Sequence, residues 1–503
     1  MSVGSRLREA LRTTPYRFQV QGVRFIEESE GRALVADDMG LGKTLQAIGY
    51  AAIHPELRPT VVVCPATIKY NWQREWKKHA GLKSYVVDGG YSTEADDKIQ
   101  LRKRLRKLSK KRDRRKRFAA IRAAKQAYRL RRKKIKETLR EVKRHKILIL
   151  NYDIVDTWIP ILSKLGVQLL ILDECHYIKN RKAKRTKACK ELSSASEQVV
   201  GLSGTPIAGV PAEFFPILNM IRPDEFDSFW TYAFKFCNPV KSRWGGGWDF
   251  SGTSNLEALH KRLQGIMIRR LKGQVLKHLP KKTRTVIPLD ITNRKVYTKA
   301  EEDFLAWLLK RRGEDAWKRA QRAETIVRLN ALKFLAAEGK LKTAIQWITD
   351  WLEETNEKLI VFATHRKILK LLHKTFPKAV RIDGSVTGKA RQQAVDKFQE
   401  DKSCRLFLGH LKAAGQGITL TAAYNVLFLE VGWTPGEHDQ AEDRALRIGQ
   451  TKHVNVYYLV GRNTVEEKIL SIIEAKGHVV GEILDGKKGG TMNLLSAFLE
   501  AVA

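Results

Sequence analysis

The chain has 503 residues, room for two or three domains of ordinary size, and its 43% hydrophobic content excludes general disorder. Ninety-three Lys and Arg against 54 Asp and Glu give a formal charge of +39, which favours polyanionic partners, nucleic acid ahead of an anionic membrane surface. There is no apolar run of about 18 residues, no apolar signal core at the N-terminus and no C-x-x-C pair among five scattered cysteines, so membrane spanning, secretion and structural zinc are not expected.

Taken in chain order, short β-branched apolar runs alternate with helical patterns. The first half offers Ala33–Ala36, Thr60–Cys64, Ile147–Leu150, Leu169–Leu172 and Val199–Leu202. The second half offers Leu359–Phe362, Arg405–Leu408, Val426–Leu429 and Val454–Tyr458. Continuous apolar strands separated by helices predict parallel sheets covered on both faces, with ligands beyond the C-terminal strand ends. The expected division is an α/β lobe over 1–210, a mainly helical, aromatic-rich stretch over 211–340, a second α/β lobe over 341–480 and a tail over 481–503. In the middle stretch Phe214, Phe215, Phe226, Phe229, Trp230, Phe234 and Phe236 read as core packing, and Trp244–Trp248 as an exposed loop. The tail carries an apolar stripe at Leu494, Leu495, Phe498 and Leu499, which predicts a helix docking on a lobe.

A basic insert over 95–146 interrupts the first lobe. From Lys98 to Lys146 about half the residues are Lys or Arg, with almost no acids. Leu101, Leu105 and Leu108 fall at i, i+4, i+7, as do Ile135, Leu139 and Val142, so the insert predicts a helical hairpin turning near Ser109 to Arg117. A solvated charged segment is the plain alternative. Because the insert holds more than half of the net charge, DNA contact through Arg102, Arg106, Arg114, Arg115 and Arg132 is the preferred reading.

The run Ala33–Ala36 leads into Asp37-Asp38-Met39-Gly40-Leu41-Gly42-Lys43-Thr44 and then a helical pattern. Backbone N–H groups of a glycine turn at a helix N-terminus cradle phosphates, so Gly40 and Gly42 are candidate ATP contacts. Lys43 would reach the outer phosphates and the Thr44 hydroxyl would ligate Mg²⁺. Asp37 stands where the general G-x-x-x-x-G-K-[ST] pattern has its first glycine. Leu169–Leu172 ends in Asp173-Glu174-Cys175-His176. There Asp173 would hold Mg²⁺, largely through water, while Glu174 polarises the attacking water. In the second half, Gln440, Arg444 and Arg447 lie in one helical segment. Arg444 and Arg447 share a face, and a guanidinium fork suits the charge that develops on a transferred phosphoryl group. An arginine delivered from a second lobe would make hydrolysis depend on closure.

With these motifs in place, residues 10–475 resemble a Swi/Snf-type motor of helicase superfamily two. The resemblance implies two RecA-like P-loop lobes with helical protrusions, ATP and Mg²⁺ as cofactors, and a monomer stepping along double-stranded DNA as a DNA-stimulated ATPase. Phe18–Val23 resembles the adenine-reading motif and puts Gln19 on the base. Cys64–Thr67 through Trp72, and Asn151–Asp153, resemble DNA-facing motifs, which implies Thr67, Trp72, Asn151 and Tyr152 as contacts. Met267–Lys272 through Pro280 resembles the linker after the first protrusion. Arg381–Ser385, Gly415–Thr421 and Trp433–Gly436 resemble second-lobe motifs, implying Gly417 at the nucleotide and Lys412, Thr421 and Trp433 at DNA. Thr419 and Thr434 stand where the family has Asn, and Ala414-Gly415 replaces a double glycine. Together with Asp-Glu-Cys-His these departures lean toward the annealing-helicase branch and small viral or bacterial relatives. An intracellular, DNA-associated location is expected, with the cytoplasm or nucleoid of a bacterial or phage-infected cell favoured over a nucleus. An RNA helicase and a non-hydrolysing DNA scaffold are the alternatives.

Overall fold

An apolar run without polar alternation has no face to give to water, and in the computed structural model such runs form the middle of parallel sheets. The structure describes residues 1–473 other than 110–112, 207–209, 242–246, 251, 277, 311–317, 387, 416 and 472; the expected tail helix lies outside them. The chain divides into two units. One comprises Met1–Val35, Lys43–Ser203 and Pro216–Glu225; the other comprises Ala36–Gly42, Gly204–Phe215 and the chain from Phe226.

The first unit carries β1 (Arg32–Val35), β2 (Thr60–Cys64), β3 (Tyr85–Val86), β4 (Ile147–Asn151), β5 (Leu169–Asp173) and β6 (Gln198–Leu202). They are neighbours in the order β3-β4-β2-β5-β6-β1, and every pair is parallel. All residues of β2, β4 and β5 are buried. This order places the ends of β1 and β5 one strand apart, flanking β6. Only β3 is unpredicted; two residues are too few to show a period.

The basic insert is the helical hairpin that its leucine spacing predicts. Its helices span Glu94–Ser109 and Arg114–Arg144. Asp113 caps the second, accepting a hydrogen bond from the Lys116 N–H at 3.0 Å.

In the second unit β7 (Val240–Lys241) and β8 (Trp248–Asp249) make a small antiparallel hairpin, and β9 (Met267–Ile268) is a short strand. A six-stranded sheet follows from β10 (Lys282–Leu289), β11 (Leu359–Ala363), β12 (Val380–Ile382), β13 (Leu406–His410), β14 (Asn425–Phe428) and β15 (Val454–Gly461). Its order is β10-β15-β14-β11-β13-β12, parallel throughout. β10 escapes sequence reading because it is an edge strand, largely solvent-facing and rich in Lys, Arg and Thr, with Pro288 tolerated there.

The aromatic-rich stretch needs one correction. Phe214, Phe215, Phe226 and Phe236 are buried as expected, but Trp230 and Phe234 are 46% and 56% exposed. These two rings meet the β7–β8 hairpin instead of a core, with the ring centres of Phe234 and Trp230 5.3 and 6.1 Å from that of Trp248. Of the expected Trp244–Trp248 loop, residues 244–246 lie outside the described residues.

Candidate nucleotide site and nucleic-acid interface

Gly40 and Gly42 have φ of +81° and +77°, a region in which side-chain-bearing residues are strained, so the loop after β1 requires glycine at both positions. The helix Lys43–Ile53 starts directly after them, placing Lys43 and Thr44 in its first turn. Asp37, fully buried, takes the place of the pattern's first glycine for a reason the sequence does not display. Its carboxylate receives the guanidinium fork of Arg270, with Nε on Oδ1 at 2.8 Å and Nη2 on Oδ2. Arg269 donates to the Ala36 carbonyl at 2.9 Å and to that of Gly204 at 3.2 Å. Lys272 forms an ion pair with Asp443 at 2.5 Å and donates to the Leu446 carbonyl at 3.2 Å. Within the second unit, then, the stretch Arg269–Lys272 ties the phosphate loop to the segment that carries Arg444 and Arg447. A Cβ at Gly40 would lie 3.3 Å from Cγ of Arg447, so the bare glycine also admits that arginine beside the loop.

At the end of β5, Asp173 is buried and Glu174 has φ of +50°, a conformation that non-glycine residues adopt sparingly. The Trp72 indole N–H donates to Asp173 Oδ2 at 2.7 Å, and the Glu174 N–H to Oδ1 at 2.9 Å. Burial and the adjacent Glu174 carboxylate push the Asp173 carboxyl up, against Trp72 and the positive charge of Lys43. Both acids and Lys43 belong to the same unit. Glu174 Oε2 is 3.4 Å from His176 Nδ1, which is 3.1 Å from the Ser203 hydroxyl just after β6. Two crowded carboxylates and a hydroxyl at Thr44 are hard oxygen donors of the kind Mg²⁺ takes, and a divalent cation would hold Asp173 ionised.

Several expected contacts are corrected here. Trp72 and Tyr152 are 1% and 2% exposed, and Asn151 is buried, so their side chains do not offer a DNA surface. Trp72 and Tyr152 instead support the acid pair, Tyr152 through a 2.8 Å hydrogen bond from its hydroxyl to the Asp173 carbonyl. Thr67 is exposed, as a contact must be. Gln19 is buried and its Oε1 accepts from the Tyr16 N–H at 2.9 Å, which fixes the amide at the start of its helix.

In the second unit Gln440 and Arg444 are buried, with Arg444 donating to the Gln440 carbonyl at 2.8 Å and the Ile418 carbonyl at 3.1 Å. Arg447 is half-buried and donates to the Thr419 hydroxyl at 3.0 Å, so it is the more accessible of the pair. Gly417, with φ of +66°, and Thr421 are half-buried, while Lys412 is exposed and 3.6 Å from Glu437. Trp433 is half-buried over the ammonium of Lys333, 4.3 Å from its ring centre. Burial lowers Lys333 to about 8. Gln416, in the same motif as Gly417, lies outside the described residues.

Sequence reading passed over Glu442 and His438 in this segment. Glu442 is wholly buried, taking Arg284 on both oxygens at 2.9 and 2.8 Å and the Tyr458 hydroxyl at 2.7 Å, with Lys282 also paired to it. Burial opposes its charge, yet Lys282 and Arg284 bring its carboxyl down to about 2.

A family model for the SNF2-related domain matches residues 18–344, and one for the helicase conserved C-terminal domain matches 339–449. The chain belongs to the SNF2-related family. As a member it is an ATP-hydrolysing enzyme of helicase type. It is 32% identical over 498 residues to the DNA annealing helicase and endonuclease ZRANB3 of Bos taurus, covering 96% of this chain and 42% of that protein. It is 33% identical over 476 residues to the SWI/SNF-related matrix-associated actin-dependent regulator of chromatin subfamily A-like protein 1 of Xenopus tropicalis, covering 92% and 44%. This chain thus spans less than half the length of either relative. It is also similar to the solved Sulfolobus solfataricus SWI2/SNF2 ATPase core in complex with dsDNA, at 24% identity, 92% of each chain and a TM-score of 0.41.

The basic hairpin of this family member is anchored at its root. Asp97, 5% exposed, receives Arg132 at 3.0 Å, Arg131 at 3.1 Å and the Ser92 hydroxyl at 2.8 Å. Burial pushes this carboxyl up, but Arg132, Ser92 and Arg131 hold it below its ordinary range. Arg132, expected at DNA, is therefore corrected to a root residue, and it also donates to the Ser92 carbonyl at 2.8 Å. Arg102, Arg106 and Arg115 are exposed, and the side chain of Arg114 lies outside the described residues. No described helix is long and apolar enough to cross a membrane.

Proposed function

We propose that this chain uses ATP hydrolysis to move along double-stranded DNA. What supports the proposal is that Lys43, at the start of the helix Lys43–Ile53, and Asp173 and Glu174, at the end of β5, belong to one unit, with the charge of Lys43 acting on the Asp173 carboxyl. In this reading ATP lies on the loop of Gly40 and Gly42, with Lys43 holding the outer phosphates. Thr44 and, largely through water, Asp173 would hold Mg²⁺, which would neutralise phosphate charge. Glu174 accepts the proton of the attacking water, and His176 orients the carboxylate. Arg447, beside Gly40, offsets charge on the transferred phosphoryl, while Arg444 and Gln440 hold its segment in shape. Gln19 reads the base. Thr67, Lys412, Thr421, Trp433 and the exposed arginines of the hairpin are the DNA contacts. Monomeric action and remodelling or re-annealing of forked DNA belong to the same proposal, supported by the similarity to a DNA annealing helicase.

The test is phosphate release with duplex DNA, single-stranded DNA and RNA. Duplex DNA is expected to stimulate most, and Lys43→Ala and Glu174→Gln to abolish turnover while DNA binding persists. Strongest stimulation by RNA, or normal turnover in both variants, overturns the proposal.

A further inference from the structure

The helix Arg114–Arg144 packs along a seam of buried or half-buried positions: Arg117, Ile121, Ala124, Tyr128, Arg132 and Ile135. One residue beyond each lies a second row, turned about 100° round the helix: Phe118, Arg122, Lys125, Arg129, Lys133 and Lys136. Every member of that row is exposed. It is a stripe of cations with one aromatic ring at the end nearest the hairpin's tip. Like charges at i, i+3 and i, i+4 destabilise a helix, so the stripe does not serve the helix itself. Phe118 is 56% exposed, whereas the neighbouring, half-buried seam position is given to Arg117. The Arg117 guanidinium lies 5.7 Å from the ring centre, another cation beside the aromatic face.

From Phe118 to Lys136 the row runs about 27 Å at 1.5 Å per residue, enough to accompany about eight nucleotides at 3.4 Å of axis each. Cations take phosphates, which every strand carries. A ring takes the face of a base, which is open only where the base is unpaired, and basic tracks with an aromatic are how proteins hold such strands. We infer that this row follows the phosphates of one DNA strand and that Phe118 stacks on an unpaired base at its end. The inference rests on the hairpin being a DNA interface, part of the proposed function above.

The test uses the full chain and two DNAs, a plain duplex and the same duplex with a single-stranded extension, each carrying the fluorescent base 2-aminopurine. Phe118→Ala is expected to lose about tenfold in affinity for the extended DNA, together with the stacking-induced fluorescence change, and to bind plain duplex unchanged. Phe118→Trp restores both. The salt slope stays the same in Phe118→Ala, whereas Arg122→Ala with Lys125→Ala lowers it by about 0.7–0.9 for each phosphate that is no longer neutralised. Wild-type affinity and fluorescence in Phe118→Ala overturn the stacking while a hairpin deletion that weakens binding leaves the DNA interface standing. A deletion of 98–146 without effect on either DNA overturns the interface itself.

Discussion

Lowering the pH from 7 to 5 should cost the second unit stability at one buried side chain in particular, His438. The imidazole is 3% exposed, its ring centre 5.1 Å from that of Phe428 and 5.4 Å from that of Tyr458, and its Nε2 accepts from the Gly432 N–H at 2.6 Å. Only the neutral ring can accept there. Burial lowers its pKa to about 4, helped by Lys333 and Arg284 and opposed by Glu442. The unfolded chain binds the proton near the ordinary value of about 6.5, so stability is complete above that pH and drains away as pH falls toward 4. Between pH 7 and 5 the linkage amounts to about 1.8 kcal/mol. Glu430 and Glu442, both held down to about 2, contribute little in that window because their unfolded values lie below it. The assay is urea unfolding at pH 7 and pH 5 at one ionic strength, in wild type and in His438→Gln, which offers a neutral acceptor at both. Wild type is expected to lose about 1.8 kcal/mol more than the variant over this step. Losses equal within about 0.5 kcal/mol would refute the argument, since other titrating groups cancel in the comparison.

Three further outcomes are expected. Trp72→Phe deletes the donor to Asp173 Oδ2 and should reduce ATP turnover about ten- to a hundredfold, with a raised Mg²⁺ requirement; an unaltered Mg²⁺ titration would rule out the supporting role. Asp97→Asn removes the charge that gathers Arg131 and Arg132, and hydrogen exchange over 94–109 should quicken; unchanged protection would mean that the root does not depend on this pair. Asp37→Asn and Arg270→Met, measured singly and together by thermal unfolding, should show a coupling of roughly 1–3 kcal/mol, and strict additivity would disprove the buried fork.

Strand count and direction in the middle of both sheets were legible from the apolar runs, because a strand buried on both faces writes its position as an uninterrupted string. The positions of the glycine turn and of the acid pair were legible for a related reason: each follows directly on one of these apolar strands. The hairpin's helices showed in their leucine spacing. Edge strands β3, β10 and β12 did not show, since an edge needs neither length nor hydrophobicity. What only the folded chain decided is which groups are exposed and which are partnered. Asp37 meets Arg270 across 233 residues, and Trp72 meets Asp173 across 101. No local pattern encodes such pairings. The same holds for the arginines of the insert: Arg132 and Arg115 look alike in a basic run, yet one turns toward Asp97 at the root and the other toward solvent. Local periodicity reports on a single element's faces, whereas a buried charge finds its partner only when distant segments close around it and exclude water.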